Sequence, residues 1–153
     1  MAITRKIARP MLAAMFVTGG LDAVKRPDGK TAKAETVTEP LAEPLGLPDD
    51  TAKLVKINGA VQIGAGLMLA TGRLPRLAAA TLAVSLVPTT LAGHRFWEAD
   101  ADARAGQQIH FFKNVSMLGG LILAATDTEG RPSLAWRARK AAERAQRSLP
   151  GDD

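Results

Sequence analysis

The reading of this chain turns on His94-Arg95-Phe96-Trp97, a short acidic loop from Glu98 to Gln108, and then Ile109-His110-Phe111-Phe112-Lys113-Asn114-Val115-Ser116-Met117-Leu118-Gly119-Gly120-Leu121-Ile122-Leu123. One apolar run ends on a His, a cation and two aromatics, and the next takes in a Lys-Asn pair close to its start. Polar groups at the margin of an apolar segment are costly in lipid, so they are paired or functional. Phe and Trp beside them are the residues that collect at a membrane–water boundary. The stretch therefore reads as the turn between two membrane-spanning helices.

Three more apolar runs precede it. Ile7 to Val24, Leu54 to Thr71 and Leu77 to Gly93 join Ile109 to Thr126, each close to the minimum length that crosses a ~30 Å hydrocarbon layer as a helix. Averages conceal this pattern. The 153 residues are 46% apolar, as in an ordinary soluble protein, and the overall mean hydropathy is close to zero. Most of the charged residues lie between the runs, with Arg9, Asp22, Lys56 and Lys113 the exceptions inside them. Aromatics are only 4%, with no Tyr, so Ala, Gly and Leu must fill the helix contacts, as in closely packed bilayer helices. No Cys is present, which excludes disulfides, thiolate metal sites, iron–sulfur clusters and a thiol nucleophile. Any redox chemistry would need a bound quinone, haem or flavin, or would belong to a partner.

The intervening segments have distinct characters. Arg5, Lys6 and Arg9 give a basic start, and the first run continues through Gly19-Gly20-Leu21 without a small-x-small cleavage site, so a retained helix is expected over about 7–24 with Pro10 in its first turn. Residues 25–53 carry Pro27, Pro40, Pro44 and Pro48 among Lys, Glu, Asp and Thr, and are expected to be an extended or loosely ordered loop. A short amphipathic turn there, with Val37, Leu41 and Leu45, would touch the membrane surface. Asp or Thr of Pro48-Asp49-Asp50-Thr51 would cap a helix over about 54–71. A basic turn, Gly72 to Arg76, leads to a helix over 74–93 in which Pro88 frees a carbonyl for Thr89, Thr90 or a neighbouring helix to satisfy. After a fourth helix at 109–126 comes a basic tail, 131–153, whose residues Leu134 to Leu149 read as an interfacial helix with Trp136 near its start. Gly64 and Gly120 are expected where helices touch. The expectation is an all-α fold: a four-helix transmembrane bundle in one domain, 1–153, with a basic C-terminal interfacial helix.

Charge orients the bundle. The formal balance is +5, and the cations flank the runs without forming an aromatic-interleaved basic patch, so membrane lipids are the expected partner and nucleic acid is not. The N-terminus, the 73–76 turn and the tail hold eleven Lys/Arg, against seven in the other connections, where nine carboxylates dilute them. Both termini should therefore lie in the cytoplasm of a bacterial cell, in a multi-pass inner-membrane topology.

Several patches resemble the DoxX family of small bacterial membrane proteins. Phe16-Val17-Thr18-Gly19-Gly20-Leu21 is similar to the end of that family's first helix. Ile63-Gly64-Ala65-Gly66-Leu67-Met68-Leu69-Ala70-Thr71-Gly72-Arg73, with Arg76-Leu77-Ala78-Ala79, is similar to its second helix, turn and third helix. His94-Arg95-Phe96-Trp97 resembles its His-x-Phe-Trp, and Phe112-Lys113-Asn114 with Leu118-Gly119-Gly120-Leu121 the start of its fourth helix. The likeness covers the four runs and not the 25–53 loop or the tail. A Lys commonly follows the Gly-Leu of the family's first helix; Asp22 stands there in this chain. The resemblance implies association with a membrane oxidoreductase. Some relatives go with a thiosulfate:quinone oxidoreductase, others with an assembly containing superoxide dismutase and a sulfurtransferase.

Helix ends place Asp22, Lys56, Asn58, His94, Arg95, Lys113 and Asn114 at one depth near the non-cytoplasmic face, with Gln62 about one and a half turns deeper. Three roles are open to them. They can be interhelical hydrogen bonds and snorkelling cations, with Asp22 paired to Lys56 or Lys113. They can form a shallow pocket for a quinone head group or an anion, with His94 donating or relaying a proton and Lys113 and Arg95 holding the charge. His94 and His110 with Glu98, Asp100 or Asp102 can bind a metal, but their spacing matches no ligand pattern and no metal is expected. Phe96, Trp97, Phe111 and Phe112 read as an interfacial aromatic belt. With no His pair expected to face across helices, a membrane subunit that anchors or organises an oxidoreductase complex, or assembles with itself, is favoured over one that exchanges electrons with quinone. The orientation has a direct check. A reporter fused after Asp153 should be active only in the cytoplasm and one inserted near Glu43 only outside; the opposite pattern would invert the topology.

Overall fold

The structure, a computed structural model, describes residues 2–46, 48, 50–130 and 134–147. It is helical throughout its elements: α1 (Ala2–Lys25), α2 (Asp28–Leu45), α3 (Thr51–Thr71), α4 (Pro75–Gly93), α5 (Ala101–Thr126) and α6 (Leu134–Arg147). Among the described residues, α1, α3, α4 and α5 are long and apolar enough to cross a membrane. They run alternately up and down. The start of α1, the α3–α4 turn and the end of α5 meet at one end of the bundle, called here the terminal end. The α2 segment and the 94–100 turn meet at the other. Around the bundle α1 packs on α3, α3 on α4 and α4 on α5, and a slighter α5–α1 contact closes the ring.

Local chemistry sets the boundaries. Asp50 caps α3, its Oδ1 accepting from the Lys53 N–H at 2.9 Å. Gly72, in the left-handed region, closes the same helix, with Gly72 N–H bonding Leu69 O at 3.1 Å and Arg73 N–H bonding Met68 O at 2.9 Å. Pro75 opens α4, where its missing N–H is no loss. Pro10 lies inside α1, because the helix begins at Ala2 and not near Ile7. Likewise α5 begins at Ala101, taking in most of the expected acidic loop and leaving a turn at 94–100.

The largest departure from expectation is α2. Residues 28–45 are a helix, not a loop. Pro27 lies just before the helix and Pro48 beyond it, while Pro40 and Pro44 lie inside it, and the Thr36 carbonyl that Pro40 cannot bond is met by Arg95. Ala, Lys and Glu, good helix formers, make up half of the rest. The helix packs across α3 and α4. Thr38 Oγ1 lies 3.2 Å from Thr51 Oγ1, and Arg95 donates to Thr36 O at 3.3 Å. Leu47, the end of the expected amphipathic turn, lies outside the described residues.

The distribution of side chains is that of a membrane bundle. The interior is Ala and Leu with one aromatic ring: Ala13, Phe16, Ala65, Leu69, Ala78, Ala79, Leu82, Leu86 and Leu121. Large apolar side chains face outward, with Val84 74% exposed and Leu123 73%, while Gln62, Ser85, Thr90 and Asn114 are buried. Water would favour the reverse; hydrocarbon favours this arrangement.

The α1–α3 seam is the tightest. A Cβ on Gly20 would lie 2.6 Å from Gly59 O, and one on Gly59 would lie 2.8 Å from Gly20 O, so each glycine lets the other backbone approach. Gly64 faces open space and Gly120 meets only Leu12 at ordinary distance, so neither marks a tight helix contact. The expected outcome follows from backbone collision: Gly59→Ala should cost about 1–3 kcal/mol in detergent melting, and Gly64→Ala almost nothing. Equal stability of the two variants would contradict the seam.

Candidate functional site

The polar residues that the sequence places at one depth divide into three groups in space. The first is an inward seam between α3 and α4. Asn58 and Gln62, one turn apart on α3, face Ser85 and Thr89, one turn apart on α4. Ser85 Oγ donates to Asn58 Oδ1 at 2.7 Å and accepts from Gln62 Nε2 at 2.9 Å. Thr89 Oγ1 donates to Ser85 O at 2.8 Å and accepts from Asn58 Nδ2 at 3.3 Å and Gln62 Nε2 at 3.4 Å. Both hydroxyls thus act as donor and acceptor at once. Next to it, Asn114 of α5 donates to Thr90 Oγ1 at 3.1 Å, and Thr90 bonds Leu86 O at 2.7 Å.

Pro88 supplies no N–H for the carbonyl of Val84. The Thr89 and Thr90 hydroxyls go to the carbonyls of Ser85 and Leu86, so the expected repair of the proline gap by a Thr does not occur. Val84 and Pro88 instead line an open, lipid-facing groove of about 470 Å³ with Ala80, Thr81, Val61, Asn58 and Ser85. The seam's polar edge is at its floor.

The second group lies at the α2 end. Arg95 donates to Leu91 O at 2.8 Å and pairs with Glu98 at 3.3 Å. His94 Nδ1 lies 2.8 Å from Gln107 Oε1. The His94 and His110 rings stack with centroids 5.1 Å apart, so the absence of a His pair between helices, expected from sequence, is corrected. Lys113 Nζ lies 3.3 Å from His110 Nδ1. Stacked rings do not converge on a shared point, and among the described residues no group of three His, Asp or Glu could hold a metal ion. Phe96 is edge-on to Trp97 at 5.1 Å and to Phe111 at 5.4 Å, and Phe111 is edge-on to Phe112 at 5.6 Å. These four rings fasten the 94–100 turn to α5.

Asp22 and Lys56 do not join this group. Asp22 pairs with Lys30 of α2, not with Lys56 or Lys113. Lys56 and Lys113 are both exposed, and Lys113 keeps its contact with His110. The single polar cluster expected from sequence is therefore an inward amide–hydroxyl seam and an outward rim of charges.

The third group, at the terminal end, was not anticipated. Arg5 holds Asp127 through Nε at 2.6 Å and a second nitrogen at 3.0 Å, and Arg9 bonds Glu129 at 2.8 Å. Arg76 Nε donates to Ala125 O at 2.9 Å. This clasp fastens the end of α5 to α1, where helix contact is slightest. In the sequence these arginines read as orientation signals, because nothing local links them to carboxylates more than a hundred residues away. Ser85 and Gln107 were also missed. The first had a signal: Asn58–Gln62 and Ser85–Thr89 are both i,i+4 polar pairs, each making a stripe on one helix face.

The fold and its polar interior define a small four-helix membrane protein. The chain belongs to the DoxX family, whose model matches residues 5–95. The match spans α2 as well as α1, α3 and α4, and stops before α5. The chain is 30% identical over 74 residues to the inner membrane protein YphA of Escherichia coli (strain K12), covering 48% of this chain and 53% of that protein. The chain thus spans about half the length of the curated relative it matches. No solved structure matches it.

The clasp has a pH signature. Hydrogen bonds from Arg5, then from the Glu129 N–H, hold the Asp127 carboxyl below its ordinary pKa. A depressed folded-state pKa means stability that is complete above the ordinary aspartate value of about 3.9 and is lost as pH falls through the lower folded value. The native protein should therefore lose its advantage over Asp127→Asn as pH falls below about 4, with a difference of about 1 kcal/mol or less at neutral pH for a partly exposed pair. Parallel melting profiles across that range would contradict the clasp.

Proposed function

We propose that this protein is a non-catalytic membrane subunit that anchors and organises an oxidoreductase assembly in the bacterial inner membrane, with both termini in the cytoplasm. One observation carries this reading: the buried polar groups of the α3–α4 seam are one another's partners. Donors and acceptors spent on each other hold helices in register; a substrate site keeps some of them aimed at a ligand. The family membership supports a membrane subunit, and the inner-membrane name of the bacterial relative supports the location. Partners, whether other subunits or further copies of this chain, would meet the exposed faces of the spans.

A second reading is favoured by the groove beside Pro88. A quinone-reactive subunit of a thiosulfate:quinone-type enzyme would need an apolar cleft with a few polar atoms and access from lipid, and the groove at Asn58 and Ser85 has those features. Purification from native membranes in mild detergent separates the two. The anchoring role predicts co-purifying partner proteins, with no visible absorption and no quinone retained by the isolated chain. Stoichiometric quinone that Asn58→Leu abolishes would overturn it in favour of the second reading.

A further inference from the structure

The last helix is not explained by the bundle. α6 lies outside the helix packing that forms the ring and carries Arg137, Arg139, Lys140, Arg144 and Arg147 against a single carboxylate, Glu143. Lys140 spends part of its charge on that carboxylate at 3.2 Å. Its position is nevertheless constrained. Asp127 and Glu129 are bound to Arg5 and Arg9 at the terminal end of the bundle. From Glu129 to Leu134 is five residue steps, a reach of about 17 Å at most. The first turn of α6 is therefore tethered near the level where the spans leave the bilayer.

The residues of α6 say what it meets there. Ala138, Ala141 and Ala142 share one exposed face. Methyl groups bury little area, so such a face binds lipid weakly by itself. Trp136, one turn before Lys140, lies under its amine with the ring centroid 5.8 Å away, and so is on a different face from the alanines. Charge has to supply the attraction, and it is reinforced by Lys6 and Arg73, both exposed at the same end. Each Lys or Arg near an anionic bilayer surface is worth roughly a fivefold gain in binding.

We propose that α6 binds the anionic headgroups of the lipid surface at the terminal end of the bundle, shallowly and by charge, with the clasp as its tether. The chain has no Cys, so Ala138→Cys and Ala142→Cys each provide one labelling site on the full-length protein. A spin label at either position should lie in water when the protein is in phosphatidylcholine vesicles. It should move to interfacial depth when phosphatidylglycerol is added, and return to water in about 1 M salt, where screening falls to about 3 Å. Arg139→Glu with Arg144→Glu, both on the exposed helix surface, should remove the response while the bundle's melting is unchanged. A label buried equally in both lipids and insensitive to salt would mean that apolar or protein contacts hold α6. A label in water under every condition would mean that α6 does not bind lipid. Either result overturns the proposal.

Discussion

Inside hydrocarbon no water is available to satisfy a polar group, and the rest of this structure depends on that constraint. The buried Gln62 and Ser85, with the half-buried Asn58 and the exposed Thr89, are placed between α3 and α4 so that each bonds a partner on the facing helix. Asn114 does the same for α5 through Thr90. The polar residues fix which faces of α3, α4 and α5 turn inward, and the large apolar side chains are then left to face lipid. Helix rotation is thus set by hydrogen bonding, while the aliphatic core of Leu69, Leu82 and Leu121 fills the space that remains.

Attraction between α1 and α3 has a different origin. Burying Leu against Leu gains little when the alternative is lipid, so close approach and dispersion must supply the contact. Gly20 and Gly59 provide it by admitting each other's backbone. The ring is weakest where α5 returns to α1, and there charge takes over. Arg5, Arg9, Asp127 and Glu129 make a clasp at the membrane boundary, where ions keep part of their hydration and desolvation is mild. One bundle therefore uses three kinds of contact, each at the depth where its physics is favourable.

Much of this was legible in the chain. The four spans were visible as apolar blocks, and the cap before α3 and the turn at Gly72 followed from residue type. Pairings between distant residues were not. Asp22 was expected to seek a cation at its own depth on another span, yet Lys30 lies eight residues on and α2 folds back to present it. That error followed from reading prolines as breakers, when Pro27 precedes α2 and the helix continues through Pro40 and Pro44. Gly64 looked like a contact residue because it stands among small neighbours; helix rotation, which the polar seam decides, turns it outward. The seam itself was half visible, since Asn58 and Gln62 were noted, but of their partners on α4 Thr89 was read only as a neighbour of Pro88 and Ser85 was missed. The expected interfacial role of the C-terminal helix remains a proposal about charge and lipid, not a property of the bundle.

The central claim is that buried hydrogen bonding between α3 and α4 holds the bundle in register. A double-mutant cycle on Gln62→Leu and Ser85→Ala, read as unfolding free energy in detergent, tests it most directly. Each single change should destabilise by leaving a buried partner unmet, and the double variant should lose less than the sum, with a coupling of about 0.6–2 kcal/mol, as for hydrogen bonds between membrane helices. Strictly additive losses would mean that these side chains do not act on each other, and the register would need another cause.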